Sequence, residues 1–294
     1  CRSSLLMAEL PAIGFIGAGR VARVLAPAFA GAGYRVVGAA SRTSASAEAL
    51  AATVPGCAAT DGKGVLAAAE LVFITTNDAA IADAVRDVAW APGKAAVHCS
   101  GASTLEPLAR AKEAGAAVGS WHPFQTFGAA GTTTDLDGIT VGIDAEATLY
   151  GTLGEIARRL GATPIAVPEE ARALYHAASV MTCGYLTTLL YQAQALWESA
   201  GLPPEAAGPA IGKIAQSTLG NVIRAGAHAA LTGPTSRGDE VTVRRHLEAI
   251  SDAAPGLLPL YRALTERSVA LAREAGRDPG NVDWELLLAG KKEG

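Results

Sequence analysis

Gly17-Ala18-Gly19-Arg20-Val21-Ala22 has the GxGxxA spacing of a turn built to receive a phosphate. The first glycine permits a tight turn, the second lets the backbone approach an anion, and the small Ala22 lets the following helix lie close to its strand. The helix N-terminus then attracts the negative charge. The pattern follows an apolar run and opens a helical one, as a dinucleotide site requires; a purely structural glycine turn is the alternative. Gly17, Gly19, Arg20 and Val21 are therefore candidate cofactor contacts. Arg20 adds weight, because a cation in a helix's first turn is unfavourable unless an anion sits nearby. A site for NAD would supply an acid about twenty residues further on, to grip the ribose 2′-hydroxyl. None occurs from Gly17 through Ala47, and Ser41-Arg42-Thr43 stands there instead. A guanidinium between two hydroxyls suits a 2′-phosphate. The expected cofactor is NADP, with Arg42 as a solvated loop arginine being the competing reading.

Three further polar clusters fall where apolar runs end, which in open α/β sheets is where ligands bind. Thr75-Thr76-Asn77-Asp78 could touch the ribose or nicotinamide side, or Asn77 and Asp78 could simply cap the next helix. In His98-Cys99-Ser100-Gly101, His98 reads as a hydrogen-bonded core histidine and Cys99 as packing, whereas Ser100 and Gly101 are placed to line a nicotinamide pocket. Trp121-His122-Pro123-Phe124-Gln125-Thr126-Phe127 is the densest aromatic stretch in the chain. It offers either three rings around one proton-transfer group, His122, or a loop pinned by its aromatics. Arg172 and His176 share a helix face, with Tyr175 beside them. They read as the wall of a cleft or as an arginine–carboxylate tie between domains.

These residues need a scaffold, and the pattern supplies one. Short apolar runs alternate with helical patterns through the first half, which predicts a parallel sheet wound with helices. Strands are expected at Ile13–Ile16, Tyr34–Ala40, Leu71–Thr75, Ala95–His98, Ala117–Ser120, Thr140–Ile143 and Thr163–Val167. A helix from Ala79 is expected to start on Asn77 or Asp78. From Pro168-Glu169-Glu170 onward only helical patterns remain. The fold class is α/β, a Rossmann-type domain over 7–167 followed by an all-helical domain over 168–294. Residues 278–281 read as a turn and 291–294 as a frayed end.

Composition excludes several function classes. Lys and Arg total 24 against 28 acids, a net charge of −4, so no basic face for nucleic acid is expected. The four cysteines form no CxxC pair, and they read as free thiols with no metal site. The uncharged stretch Ala177–Trp197 is spotted with Ser, Thr and Gln, so it reads as a buried helix and not as a membrane span. Residues before Met7 lack the apolar core of a signal peptide, and the chain is expected to be cytoplasmic.

With these residues in hand, the chain resembles the family that pairs a Rossmann-like domain with the domain of unknown function DUF2520. The resemblance runs from about Ile13 to Ala270. It rests on the GxGxxA turn, His98-Cys99-Ser100-Gly101, Ser120 to Phe127, Tyr175-His176-Ala177-Ala178, and Leu231 to Asp239 with Thr242, Val243, His246 and Leu247. Members are described as NADP-dependent oxidoreductases, some by analogy with enzymes that use a deazaflavin. More distantly the layout is similar to pyrroline-carboxylate reductases and β-hydroxyacid dehydrogenases, and a histidine of prephenate dehydrogenases has its counterpart in His122. Two departures stand out: Arg172 replaces the family's usual Lys, and Cys183-Gly184 its Ser-Asn. The resemblance implies hydride transfer to or from a small carbonyl, imine or hydroxy compound, with the alternative of a non-catalytic NADP(H) sensor. In the first reading His122 is the acid/base group, His176 assists it and binds substrate with Arg172 and Tyr175, and Arg172 or Arg237 holds a substrate carboxylate. Apolar residues on more than one face of the helical domain, such as Leu186, Leu189, Leu190, Leu196 and Trp197, point to a homodimer.

Overall fold

The computed structural model describes residues 10–128, 135–280 and 282–289. Cys1, Met7, Asn281 of the expected turn and the expected frayed end at 291–294 lie outside them. Two compact units divide between Cys183 and Gly184.

The first unit opens with β1 (Ile13–Ile16), α1 (Arg20–Gly31), β2 (Val36–Ala40), α2 (Ser44–Ala51), β3 (Ala58–Ala59) and α3 (Gly62–Ala68). It continues through β4 (Leu71–Ile74), α4 (Ile81–Arg86), β5 (Ala95–His98), α5 (Ala109–Glu113), β6 (Ala117–Pro123), β7 (Thr140–Ala145), α6 (Ala147–Arg159), β8 (Thr163–Ala166) and α7 (Glu169–Val180). The eight strands lie in the order β3-β2-β1-β4-β5-β6-β7-β8. All neighbours run parallel except β6 and β7. This is the Rossmann order with two strands added beyond β6.

Helices cover both faces, so the central strands are apolar throughout and alternate between two cores. Phe15, Phe73 and Trp121 face one core with Phe29 of α1, whose ring meets Trp121 edge-on at 5.6 Å. Ile16, Val72 and Ile74 face the other with Val65, Ile81 and Val85. Three expectations need correction. The two-residue β3 is made of exposed alanines, too short to leave an apolar run. The partner of β6 is antiparallel: β7 runs back along it, with Ser120 opposite Asp144 and His122 opposite Gly142. Finally, β6 extends to Pro123, since pairing with β7 holds Trp121 and His122 in the ladder.

Of the second unit, α8 (Leu186–Ser199), α9 (Pro204–Ala230), α10 (Glu240–Ala253), α11 (Leu258–Glu274) and α12 (Trp284–Ala289) are helical. Its core is small: Val243, Leu247, Val269, Trp284 and Leu287. Asp239 caps α10 by accepting from the Thr242 amide at 3.0 Å. Arg277 holds the carbonyls of His228, Ala229 and Leu231 at the end of α9. The expectation of a buried helix over Ala177–Trp197 fails. The stretch is broken by a π-helical turn, Met181–Tyr185, and no residue of α8 is fully buried. Among the described residues no helix is long and apolar enough to cross a membrane, and no group of residues is arranged to hold a metal. Among the described residues, Cys57, Cys99 and Cys183 form no disulfide.

Candidate functional site

The carboxyl ends of β1, β2, β4, β5 and β6 carry the candidate residues. Gly17, at φ 110°, turns the chain directly against the end of β4. A Cβ there would lie 2.6 Å from the Thr75 carbonyl carbon and 2.7 Å from the Thr76 nitrogen, so only glycine fits. Gly19 is the N-cap of α1 and contributes no side-chain bond, leaving the first-turn amides without a side-chain partner. Arg20 is exposed beside them, Val21 half-buried, and Ala22 fully buried under the strand. Thr75 braces the turn, donating from Oγ1 to the Gly17 carbonyl at 2.7 Å. Thr76 Oγ1 is buried with no partner. After β2, Ser41 is half-buried and Arg42 and Thr43 are exposed. Thr43 bonds Ser46 at 2.8 Å, whereas Arg42 forms no bond or ion pair among the described residues. The turn's uncapped amides, the orphaned Thr76 hydroxyl and the uncommitted Arg42 fit a phosphorylated dinucleotide.

The polar cluster after β4 is organised differently from a helix cap. A short 3-10 turn, Asp78–Ala80, precedes α4, and neither Asn77 nor Asp78 caps it with a side chain. Asp78 instead accepts from Ser100 Oγ at 2.7 Å, because the loops after β4 and β5 lie side by side. Ser100 Oγ also accepts from the amides of Ala102 and Ser103, which closes the loop on itself. His98 is fully buried. Its Nδ1 accepts from the Ser100 amide, so Nε2 carries the proton and donates to the Thr104 carbonyl at 3.0 Å. Burial holds its pKa near 4. Burial likewise pushes the Cys99 thiol far up, and it is no nucleophile.

The β6–β7 ladder and α7 form the centre of the site. Two alternate rungs, which point to the same face, each hold one residue of the helix. Ser120 stands opposite Asp144, and His122 opposite Gly142. The first rung takes Arg172: its Nη2 donates to Ser120 Oγ at 2.7 Å and to Asp144 Oδ2 at 3.2 Å, and Nη1 reaches the Ser100 carbonyl at 3.4 Å. The second rung takes Tyr175, whose hydroxyl lies 2.9 Å from His122 Nδ1. The one-turn spacing of Arg172 and Tyr175 along the helix matches the two-residue spacing of Ser120 and His122 along the strand. His176, also on this face, brings its ring to 6.2 Å from that of His122.

Arg172 is only 2 % exposed, so its guanidinium is a tie to a carboxylate within one unit, and its Nη groups are not free for a substrate carboxylate. Of the two readings of the Trp121–Phe127 stretch, three rings around His122 is not what the structure holds. Trp121 alternates to the opposite face and the core, and Phe124 packs on Tyr175 at 5.3 Å. His122 does not titrate near neutrality either. Burial, then the charges of His176 and Arg172, lowers its pKa to about 4, so it is neutral at pH 7. Burial raises Tyr175 to about 12. Arg237 lies exposed in the second unit, on a one-turn helix Thr235–Arg237.

Two glycines make room for the cluster. A Cβ on Gly101 would lie 2.7 Å from His122 Nε2 and 2.8 Å from His176 Cδ2. One on Gly142 would lie 2.7 Å from the Tyr175 hydroxyl. Gly142 and Asp144 are site residues that the sequence reading did not single out. A glycine inside the expected strand Thr140–Ile143 and an aspartate directly after it are the signal, since such a glycine marks close approach by another group.

Residues 2–123 match the family described as Rossmann-like domain, and residues 139–268 match DUF2520, a domain of unknown function. No curated protein matches the chain in sequence. A solved structure from Bacteroides fragilis, described as a proposed NADP oxidoreductase, is 28% identical over 88% of this chain and 98% of its own, with TM-score 0.70. A Thermotoga maritima protein is 23% identical, covering 90% of this chain and 100% of its own at TM-score 0.69. A reductive aminase from Aspergillus terreus, solved with NADPH and ethyl levulinate, is 20% identical over 96% of this chain and 99% of its own, with TM-score 0.62. The last two likenesses are of fold.

Proposed function

The chain belongs to the family that joins a Rossmann-like domain to DUF2520, and on that premise we propose that it is an NADP(H)-dependent oxidoreductase. It would move a hydride to or from a small carbonyl, imine or hydroxy compound. One observation carries the reading: a glycine turn with uncapped helix amides and the cluster of His122, Tyr175 and His176 share the carboxyl edge of one sheet. The Bacteroides fragilis relative's description supports the reaction class.

Gly17, Gly19, Arg20 and Val21 would hold the pyrophosphate, and Ser41, Arg42 and Thr43 the 2′-phosphate. Thr76, Asn77, Ser100 and Gly101 would line the nicotinamide end, with Thr75 bracing the turn. When bound, the dinucleotide supplies or accepts the hydride. His122, beyond the end of β5 and beside Gly101, would hold the proton at Nε2. Because it is neutral at pH 7, it would act as an N–H donor towards a forming alkoxide or amide. His176 would contact the substrate.

Calorimetric titration tests the cofactor. NADPH should bind about ten- to a hundredfold more tightly than NADH, and Arg42→Ala should remove the difference. NADPH oxidation across a panel of keto acids and cyclic imines tests the reaction, and His122→Gln should lower kcat at least about a hundredfold at unchanged NADPH affinity. Equal affinity for the two cofactors overturns the NADP assignment. Tight binding without turnover of any member turns the reading into that of a sensor.

A further inference from the structure

We propose that Tyr175 is the positioning residue of the site, its hydroxyl donating to His122 Nδ1 and so fixing the tautomer that presents Nε2–H above Gly101. The inference rests on the proposed role of His122 for its kinetic consequence, but not for its geometry.

The hydroxyl has one proton and two acceptors within reach on the same residue. His122 Nδ1 is at 2.9 Å and the His122 carbonyl at 3.3 Å. A phenol donating to an oxygen normally approaches to about 2.7–2.8 Å, so 3.3 Å is a poor O–H···O bond. The shorter contact assigns the hydroxyl's proton to the Nδ1 lone pair, and a neutral imidazole that accepts at Nδ1 carries its own hydrogen at Nε2. That nitrogen has no partner among the described residues and lies over the bare Cα of Gly101. The groups facing the ring agree with a neutral state. His176 and Arg172 of α7 and His98 of β5 disfavour protonation, and only Asp78 among the charges opposes them.

The hydroxyl is held in place from behind. Gly142, opposite His122 in the ladder, leaves no Cβ between the strand and the phenol, and Phe124 packs on the tyrosine ring.

The test reads the ring nitrogens directly, by long-range 1H–15N correlation on histidine-labelled protein without substrate. His122→Gln identifies the signals. Wild type should show His122 as the neutral Nε2–H form at pH 7. Tyr175→Phe should give a tautomer mixture and raise the ring's pKa by up to about one unit, since the bond that stabilised the neutral form is gone. Gly142→Ala, which keeps the phenol but displaces its hydroxyl, should shift the ring in the same direction if Tyr175→Phe fails to fold. An Nδ1–H form in wild type, or a ring unchanged in both variants, overturns the proposal. Where turnover is found, Tyr175→Phe should lower kcat at least tenfold and leave the KM for NADPH unchanged. A protein with no turnover but the predicted tautomer refutes the oxidoreductase reading and leaves the positioning role standing.

Discussion

Replacing Arg172 with methionine removes the guanidinium that joins α7 to two strands while keeping an unbranched chain of similar length. Ser120 Oγ, buried with 0 % exposure, loses its 2.7 Å donor and finds no water in exchange. That loss costs about 1–3 kcal/mol. Asp144 loses a charged partner at 3.2 Å, but its side chain is 23 % exposed and can partly rehydrate. The full 3–5 kcal/mol for orphaning a buried charge therefore does not apply. About 3 kcal/mol in total is expected for Arg172→Met. Asp144→Asn, which leaves an oxygen facing the guanidinium, should cost about 1–2 kcal/mol. The double variant should fall short of the sum by about 1–2 kcal/mol, the coupling of a contacting pair. Arg172→Lys keeps the charge but has one nitrogen in place of two, so the Nη1 contact to the Ser100 carbonyl is lost, and it should lie between wild type and Arg172→Met. Urea unfolding followed by intrinsic fluorescence measures all of these, since Trp121 is buried in the first unit's core. A cost below about 0.5 kcal/mol for Arg172→Met, which is what a surface substitution costs, refutes the tie. So does strict additivity with Asp144→Asn.

The other expectations concern pH and assembly. Folded His98 protonates near pH 4 because it is buried, whereas the unfolded chain's histidine protonates near 6.5. Its contribution is therefore present in full above about pH 6.5 and is lost as pH falls towards 4, by up to about 3 kcal/mol. The stability gap between wild type and His98→Gln should narrow between pH 7 and 5 in denaturant titrations, and a constant gap would contradict the assignment. Leu189, Tyr191, Ile214 and Ile223 are 39–75% exposed on α8 and α9, a surface that a second copy of the chain would cover. Light scattering at micromolar concentration should give about twice the chain mass of 29.7 kDa, and a monomer mass refutes the dimer.

Much of the fold was legible because its signals are local. The glycine turn declared itself by spacing, and the structure adds only that Gly17 must be glycine because Thr75 and Thr76 lie against it. Buried strands such as Leu71–Ile74 were visible as apolar runs because helices cover both faces of the sheet. The alternation ended where the sheet does, at Ala166. Two alanines could not announce β3, and no pattern of single residues reports that β7 runs antiparallel.

At the site, sequence alone determined which side chains were available: a GxGxxA turn, an arginine in place of an acid, and His122, Arg172, Tyr175 and His176 within two short motifs. Tertiary structure decided what each can do. Arg172 became a tie because the register of β6 on β7 sets Ser120 opposite Asp144 beneath it. His122 became a neutral ring bonded to a phenol because the next rung on the same face sets Gly142 beside Tyr175. Partners 28 and 53 residues apart leave no mark in local spacing. The protonation state of an imidazole depends on burial and on charges brought near it by folding, so it is a property of the packed ladder and not of the histidine.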